Sequence, residues 1–139
     1  MAFGEKHWWI YAVIAVIVPG IYFASLIGKV STTSVAEIEY QWPLLTAVGA
    51  AVGLAIVASI VLGVAIRGKD VKKDARDADI NRLGEYVGGI VLAVGMVVPF
   101  ALAMTEADHF WIANSMYLAW VLSALAGTTV KLVAYRRGL

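Results

Sequence analysis

The chain contains no cysteine among its 139 residues, so disulfide frameworks, thiol catalysis and thiolate-ligated metal are excluded. Charge is also scarce: Asp, Glu, Lys and Arg make up 15% of the residues, against about 25% in ordinary soluble domains. Proline occurs three times, at positions 19, 43 and 99, and leaves the chain free to form long helices. What fills the space is apolar. Hydrophobic residues reach 61%, with a mean hydropathy of +0.81. This composition excludes a disordered chain and a nucleic-acid-binding basic domain.

The apolar residues fall into four runs without a charged side chain: 8–27, 43–66, 86–104 and 110–130. Each approaches or exceeds the ~20 residues that a helix needs to cross ~30 Å of hydrocarbon. Backbone polar groups in lipid must be satisfied within the segment, and apolar residues run continuously rather than alternating. The expected fold is all-α, a single transmembrane domain over 1–139 made of a four-helix bundle. The first run is too long for a signal-peptide core and contains Trp8 and Trp9, so it is expected to remain as a helix.

Orientation is read from Lys and Arg. Ten of the eleven basic residues lie before the first run, between the second and third, or after the fourth; Lys29 is the exception. The termini and central stretch are therefore expected in the cytoplasm of a multi-pass protein of the plasma (bacterial inner) membrane. Trp8, Trp9, Tyr11, Tyr86 and Tyr135 would mark the inner boundary, and Tyr40, Trp42, Phe110 and Trp111 the outer one.

Small residues predict where helices approach. Gly49 and Gly53 form one small-x-x-x-small pair, with Ala47, Ala51, Ala55 and Ser59 on an adjoining row. Gly84 and Gly88 form another at the start of the third span, and Ser123 and Gly127 a third. Such faces suit packing within the chain and homo-oligomerisation. Pro19-Gly20 and Pro99 are expected to bend the first and third spans.

No Asp, Glu, Lys, Arg or His lies inside the four runs, which counts against proton-coupled exchange such as that of the small multidrug exporters, where a membrane-embedded carboxylate is required. Asn114 and Tyr117 share a helix face, and Trp120 lies deep in the fourth run. The three either pack between helices or line a groove or pathway. Glu106, Asp108 and His109 are residue types that zinc accepts, yet their spacing matches no established ligand pattern. Asp108 reads as a helix cap, and no metal or cofactor is expected.

Residues 69–85 are the most polar stretch and are expected to form a helix running into the third span, supported by pairs such as Lys73 with Asp77 and Arg76 with Asp79. The acidic spacing is not that of an EF-hand, since Arg76 would occupy a ligand position. Phosphate loops and nucleophile elbows are also missing. Asp74, Arg76, Asp77, Arg82 and Glu85 could instead dock a cytoplasmic protein.

The run Asp74-x-Arg76-Asp77-x-x-Ile80-x-Arg82-x-Gly84-Glu85-Tyr86-x-Gly88, together with Phe110–Asn114 and Lys131–Gly138, resembles a family of small uncharacterised bacterial membrane proteins of actinobacterial type. The resemblance covers the second half of the chain and implies four spans. Such proteins are often encoded beside helix-turn-helix regulators, which implies a sensory or regulatory role. The expected function is a non-enzymatic regulatory, sensory or accessory membrane module. The alternative is a small oligomeric channel or carrier for an apolar or amphipathic solute, with Asn114, Tyr117, Ser123 and Thr128 on its pathway. The partners are the lipid bilayer, further copies of the chain and a cytoplasmic protein, with no nucleic acid.

Overall fold

A computed structural model describes residues 3–65 and 75–138. Four helical spans long and apolar enough to cross a membrane account for nearly all of them, and no strand occurs among the described residues. The elements are α1 (Phe3–Thr32), a 3₁₀ turn (Val35–Glu37), α2 (Gln41–Ala65), α3 (Ala75–Gly95), α4 (Val97–Met104) and α5 (His109–Arg137). All four spans begin before, or run on beyond, the apolar runs that announce them, because a helix does not stop where its hydrophobic residues do.

Pro43 is accommodated in the first turn of α2, where its missing N–H would have no partner in the helix. Pro99 acts differently: α3 and α4 are one span interrupted at Met96, beside the Gly95 carbonyl that Pro99 leaves without its helical donor, while the Met96 carbonyl accepts from Phe100 N–H at 3.1 Å. α1, by contrast, is continuous through Pro19.

α5 is the hub, packing on α3, α1 and α4, while α2 lies at the rim against α1. The closest approach is between α3 and α5. Ile80, Gly84 and Gly88 form the buried face of α3, and Gly127, Thr128, Lys131, Leu132 and Ala134 that of α5. A Cβ on Gly127 would lie 2.9 Å from the Gly84 carbonyl oxygen, and one on Gly88 would lie 3.2 Å from that of Ser123. Glycine at 127 is required for this approach and glycine at 88 eases it, and the contact brings the Ser123 hydroxyl within 2.7 Å of the Gly88 carbonyl.

The half-buried row on α2 is Ala47, Ala51, Ala55 and Ser59, whose hydroxyl is 3.1 Å from that of Tyr11. Gly49 and Gly53 are exposed, and no described atom lies within 4 Å of where a Cβ would stand on either. Most other outward residues of α2 are large aliphatics, including Leu54, Ile56, Val57, Ile60 and Val61.

The second cluster lies at the end away from the termini. Tyr22, Leu26, Ile38, Phe110 and Tyr117 are buried together, so that the loop residue Ile38 closes this end of the bundle. The turn into α5 ends α4 through bonds from Ala107 N–H to Leu102 O (3.0 Å) and Glu106 N–H to Ala103 O (3.2 Å). This pattern places Glu106 in the left-handed region at φ 55°.

Candidate functional site

The polar chemistry gathers in two places. At the end shared by the termini, α5 carries a buried cation. Lys131 is 2% exposed, the ammonium donates to Glu85 Oε1 at 2.6 Å, and it lies 3.6 Å from the centre of the Trp8 ring. Three helices therefore meet on one charge: α5 supplies it, α3 supplies its counter-ion and α1 supplies the aromatic face. The aliphatic stem of Lys131 crosses Gly84, where any side chain would displace it. Glu85 keeps 71% of its side chain exposed, so the pair is buried on one side and wet on the other.

One turn further out, Tyr135 Oη donates to Asp77 Oδ1 at 2.7 Å, and Arg76 donates to the Tyr135 carbonyl at 3.3 Å. Arg136 stands over the Trp9 ring at 5.3 Å and is 3.8 Å from Glu5. The contacts of Tyr135 with Asp77 and Arg76 hold the polar start of α3 against the end of α5, and those of Arg136 tie α5 to α1, while Asp79 and Arg82 remain exposed.

Five residues read from sequence as docking groups thus have different settings. Arg76, Asp77 and Glu85 engage α5 while keeping exposed surface, and Arg82 faces outward. Asp74, and with it the 69–74 part of the polar helix and the Lys73 partner of Asp77, lies outside the described residues. From Ala75 onward the polar segment is helical and continuous with the third span.

Between α1 and α3, above α5, runs a crevice of about 310 Å³. Trp8, Tyr11 and Glu85 stand at one end, and Leu92, Ser123 and Ala124 at the other. In the sequence Lys131 is one of the basic residues that mark orientation, with nothing in its immediate neighbours to show burial. The signal that could have placed it was the four-residue row Ser123, Gly127, Lys131, Tyr135, which continues the small-residue face into the charged end.

The second polar group lies near the opposite end. Tyr22 Oη donates to Asn114 Oδ1, and Asn114 Nδ2 donates to the Phe110 carbonyl at 2.8 Å. Tyr117 stacks on Phe23 with ring centres 5.6 Å apart and meets Tyr22 edge-on at 5.3 Å. Among the described residues, its hydroxyl is the buried side-chain polar atom without a hydrogen-bond partner. Asn114 and Tyr117 are thus enclosed within the helix packing, whereas Trp120 is 51% exposed and points away from it.

Glu106, Asp108 and His109 are all exposed, and no group of three His, Asp or Glu residues converges among the described residues. Asp108 occupies the N-cap of α5 without a side-chain capping bond; its carbonyl accepts from Trp111 at 3.0 Å. The neighbouring N–H groups are at an exposed helix end, where water can take the place of the carboxylate.

Compared with known protein families, curated proteins and solved structures, the chain matches none.

Proposed function

We propose that the chain is a non-enzymatic membrane module that holds a polar helix end in a fixed pose for a cytoplasmic partner. In this reading the four spans cross the bacterial inner membrane, with the termini and the basic central stretch in the cytoplasm. Exposed α2 faces around Gly49 and Gly53 would assemble further copies.

The observation that carries the reading is the two-sidedness of the start of α3. One side is tied to α5 through Asp77–Tyr135 and Glu85–Lys131; the other presents Asp79 and Arg82 to the surroundings. A helix end held this way loses little conformational freedom on binding, which favours recognition. The regulatory role implied by the family resemblance points the same way. Enclosure of Asn114 and Tyr117 speaks for a module rather than a carrier, since a pathway needs its polar groups on an accessible surface; Ser123 and Thr128 border the crevice between α1 and α3 instead of continuing that pair.

The test is photo-crosslinking in cells from residues 79 and 82, with residue 31 at the other end as control. A defined cytoplasmic protein should attach from the first two positions alone, and Arg82→Glu combined with Asp79→Lys should abolish its capture. Passage of ions or dye through liposomes containing the purified chain would replace this reading with the carrier.

A further inference from the structure

The crevice beside Lys131 has a polar end and an apolar end, and its charges are arranged asymmetrically. α1 and α3 both pack on α5 but make no extensive contact with each other, which leaves the space open between them. At its mouth the ion pair is neutral overall. Its cation is sealed between Gly84, Glu85 and the Trp8 ring, while its carboxylate is 71% exposed. A visiting group therefore meets the negative member first. A phosphate set directly against Glu85 is disfavoured, whereas an ammonium finds a carboxylate that can accept a charge-assisted hydrogen bond.

Deeper in, the lining changes to Gly88, Gly89, Leu92 and Ala124, with Thr128 and with Ser123, whose hydroxyl donates to the Gly88 carbonyl. No described atom lies within 4 Å of where a Cβ on Gly89 would stand, so bare backbone forms part of the wall. The volume of about 310 Å³ is at the small end of ligand sites, enough for one chain rather than a whole two-chain lipid.

We propose that this crevice holds a phosphatidylethanolamine molecule, with its primary ammonium on Glu85 and one acyl chain along Gly88, Gly89 and Leu92. The headgroup carries N–H donors, which the trimethylammonium of phosphatidylcholine does not. Its positive end pairs with Glu85, and its phosphate projects outward to the headgroup layer. The proposal rests on the reading of the chain as a membrane protein.

The experiment reconstitutes the full chain in vesicles of equimolar phosphatidylethanolamine, phosphatidylcholine and phosphatidylglycerol. The protein is then extracted in mild detergent and its retained lipid weighed by native mass spectrometry. Phosphatidylethanolamine should be retained about tenfold over phosphatidylcholine, the discrimination expected of one hydrogen bond to a charged group.

Glu85→Gln should return retention to the bulk ratio. Gly89→Leu, whose Cβ meets no described atom within 4 Å, places a bulky side chain on the crevice wall and should remove the retained lipid; circular dichroism and gel filtration confirm that both variants fold. Equal retention of the two zwitterionic lipids, preference for phosphatidylglycerol, or unchanged retention in Gly89→Leu overturns the proposal. Alkaline carbonate extraction separates the two readings: a chain washed off the membrane refutes insertion, whereas one that stays but retains lipid in the bulk ratio refutes the crevice alone.

Discussion

Lys131 lies across the backbone of Gly84: a Cβ on residue 84 would stand 2.3 Å from Lys131 Cε and 2.4 Å from its Cγ. The glycine is thus the bed of the lysine stem, and the ion pair with Glu85 depends on it. Gly84→Ala should push Lys131 off its path and destabilise the fold by about 1–3 kcal/mol, the usual cost of overpacking. The check is thermal unfolding in detergent. If the clash is the cause, Lys131→Ala should remove most of the penalty of Gly84→Ala in a double-mutant cycle, with a coupling of at least ~0.5 kcal/mol.

Gly127 obstructs in another way. Its nearest neighbour is the Gly84 carbonyl oxygen, 2.9 Å from the position of a Cβ, and a backbone atom cannot swing aside. Gly127→Ala should therefore separate α3 from α5 and cost about 2 kcal/mol or more, with no relief from Lys131→Ala. Gly89→Ala meets nothing, and its expected effect on the helix is a gain of about 0.5–1 kcal/mol. The three alanines, ranked by unfolding temperature, test the whole α3–α5 contact.

The hydroxyl of Tyr117 is buried without a partner, which costs the folded state the desolvation of that group. Tyr117→Phe keeps the ring on Phe23 and removes the orphan, so stability should rise by up to about 1 kcal/mol. Asn114→Leu breaks a made bond to Tyr22 instead, and should cost about 0.6–1.7 kcal/mol, from the average to the maximum for hydrogen bonds between membrane helices. Opposite signs for the two variants in unfolding assays would establish that Asn114 is structural polarity.

The four spans were legible because an uncharged run of this length has few alternatives, and the break near Pro99 followed from a missing donor. The pattern was less informative about partners across helices. Gly49-x-x-x-Gly53 and Gly84-x-x-x-Gly88 have the same spacing, yet the first is bare and the second is filled by α5. Spacing reports that a close approach is permitted, and only the arrangement of helices decides whether one occurs. Lys131 was not legible as buried for a related reason. It stands one residue beyond an apolar run, where a lysine ordinarily reaches into headgroups and solvent, and its burial depends on Gly84 and Trp8, 47 and 123 residues away.

The α4–α5 turn places a glutamate where glycine is usual. Glu106 has φ 55° at the left-handed position of the helix-ending motif. A side chain there costs roughly 1–2 kcal/mol. Glu106→Gly should consequently raise the unfolding free energy by about 1 kcal/mol, read as a higher midpoint in thermal or denaturant titration. A loss of stability would mean that the carboxylate makes a compensating interaction at this end.

Because the chain has no cysteine, single cysteines can report its orientation without a background. Ser31 and Ala78 are both exposed, the first at the end of α1 and the second in the polar start of α3, at opposite ends of the bundle. The basic residues lie almost wholly on the Ala78 side, and Lys and Arg near span ends resist translocation. Ser31→Cys should therefore react with an impermeant maleimide added to intact spheroplasts, and Ala78→Cys should react after the cells are opened. Reaction of both from outside would contradict the single crossing of the membrane by α2 between them. Reversed reactivity would keep the four spans but turn the charged face of α3 away from the cytoplasm, and the docking role would fall with it.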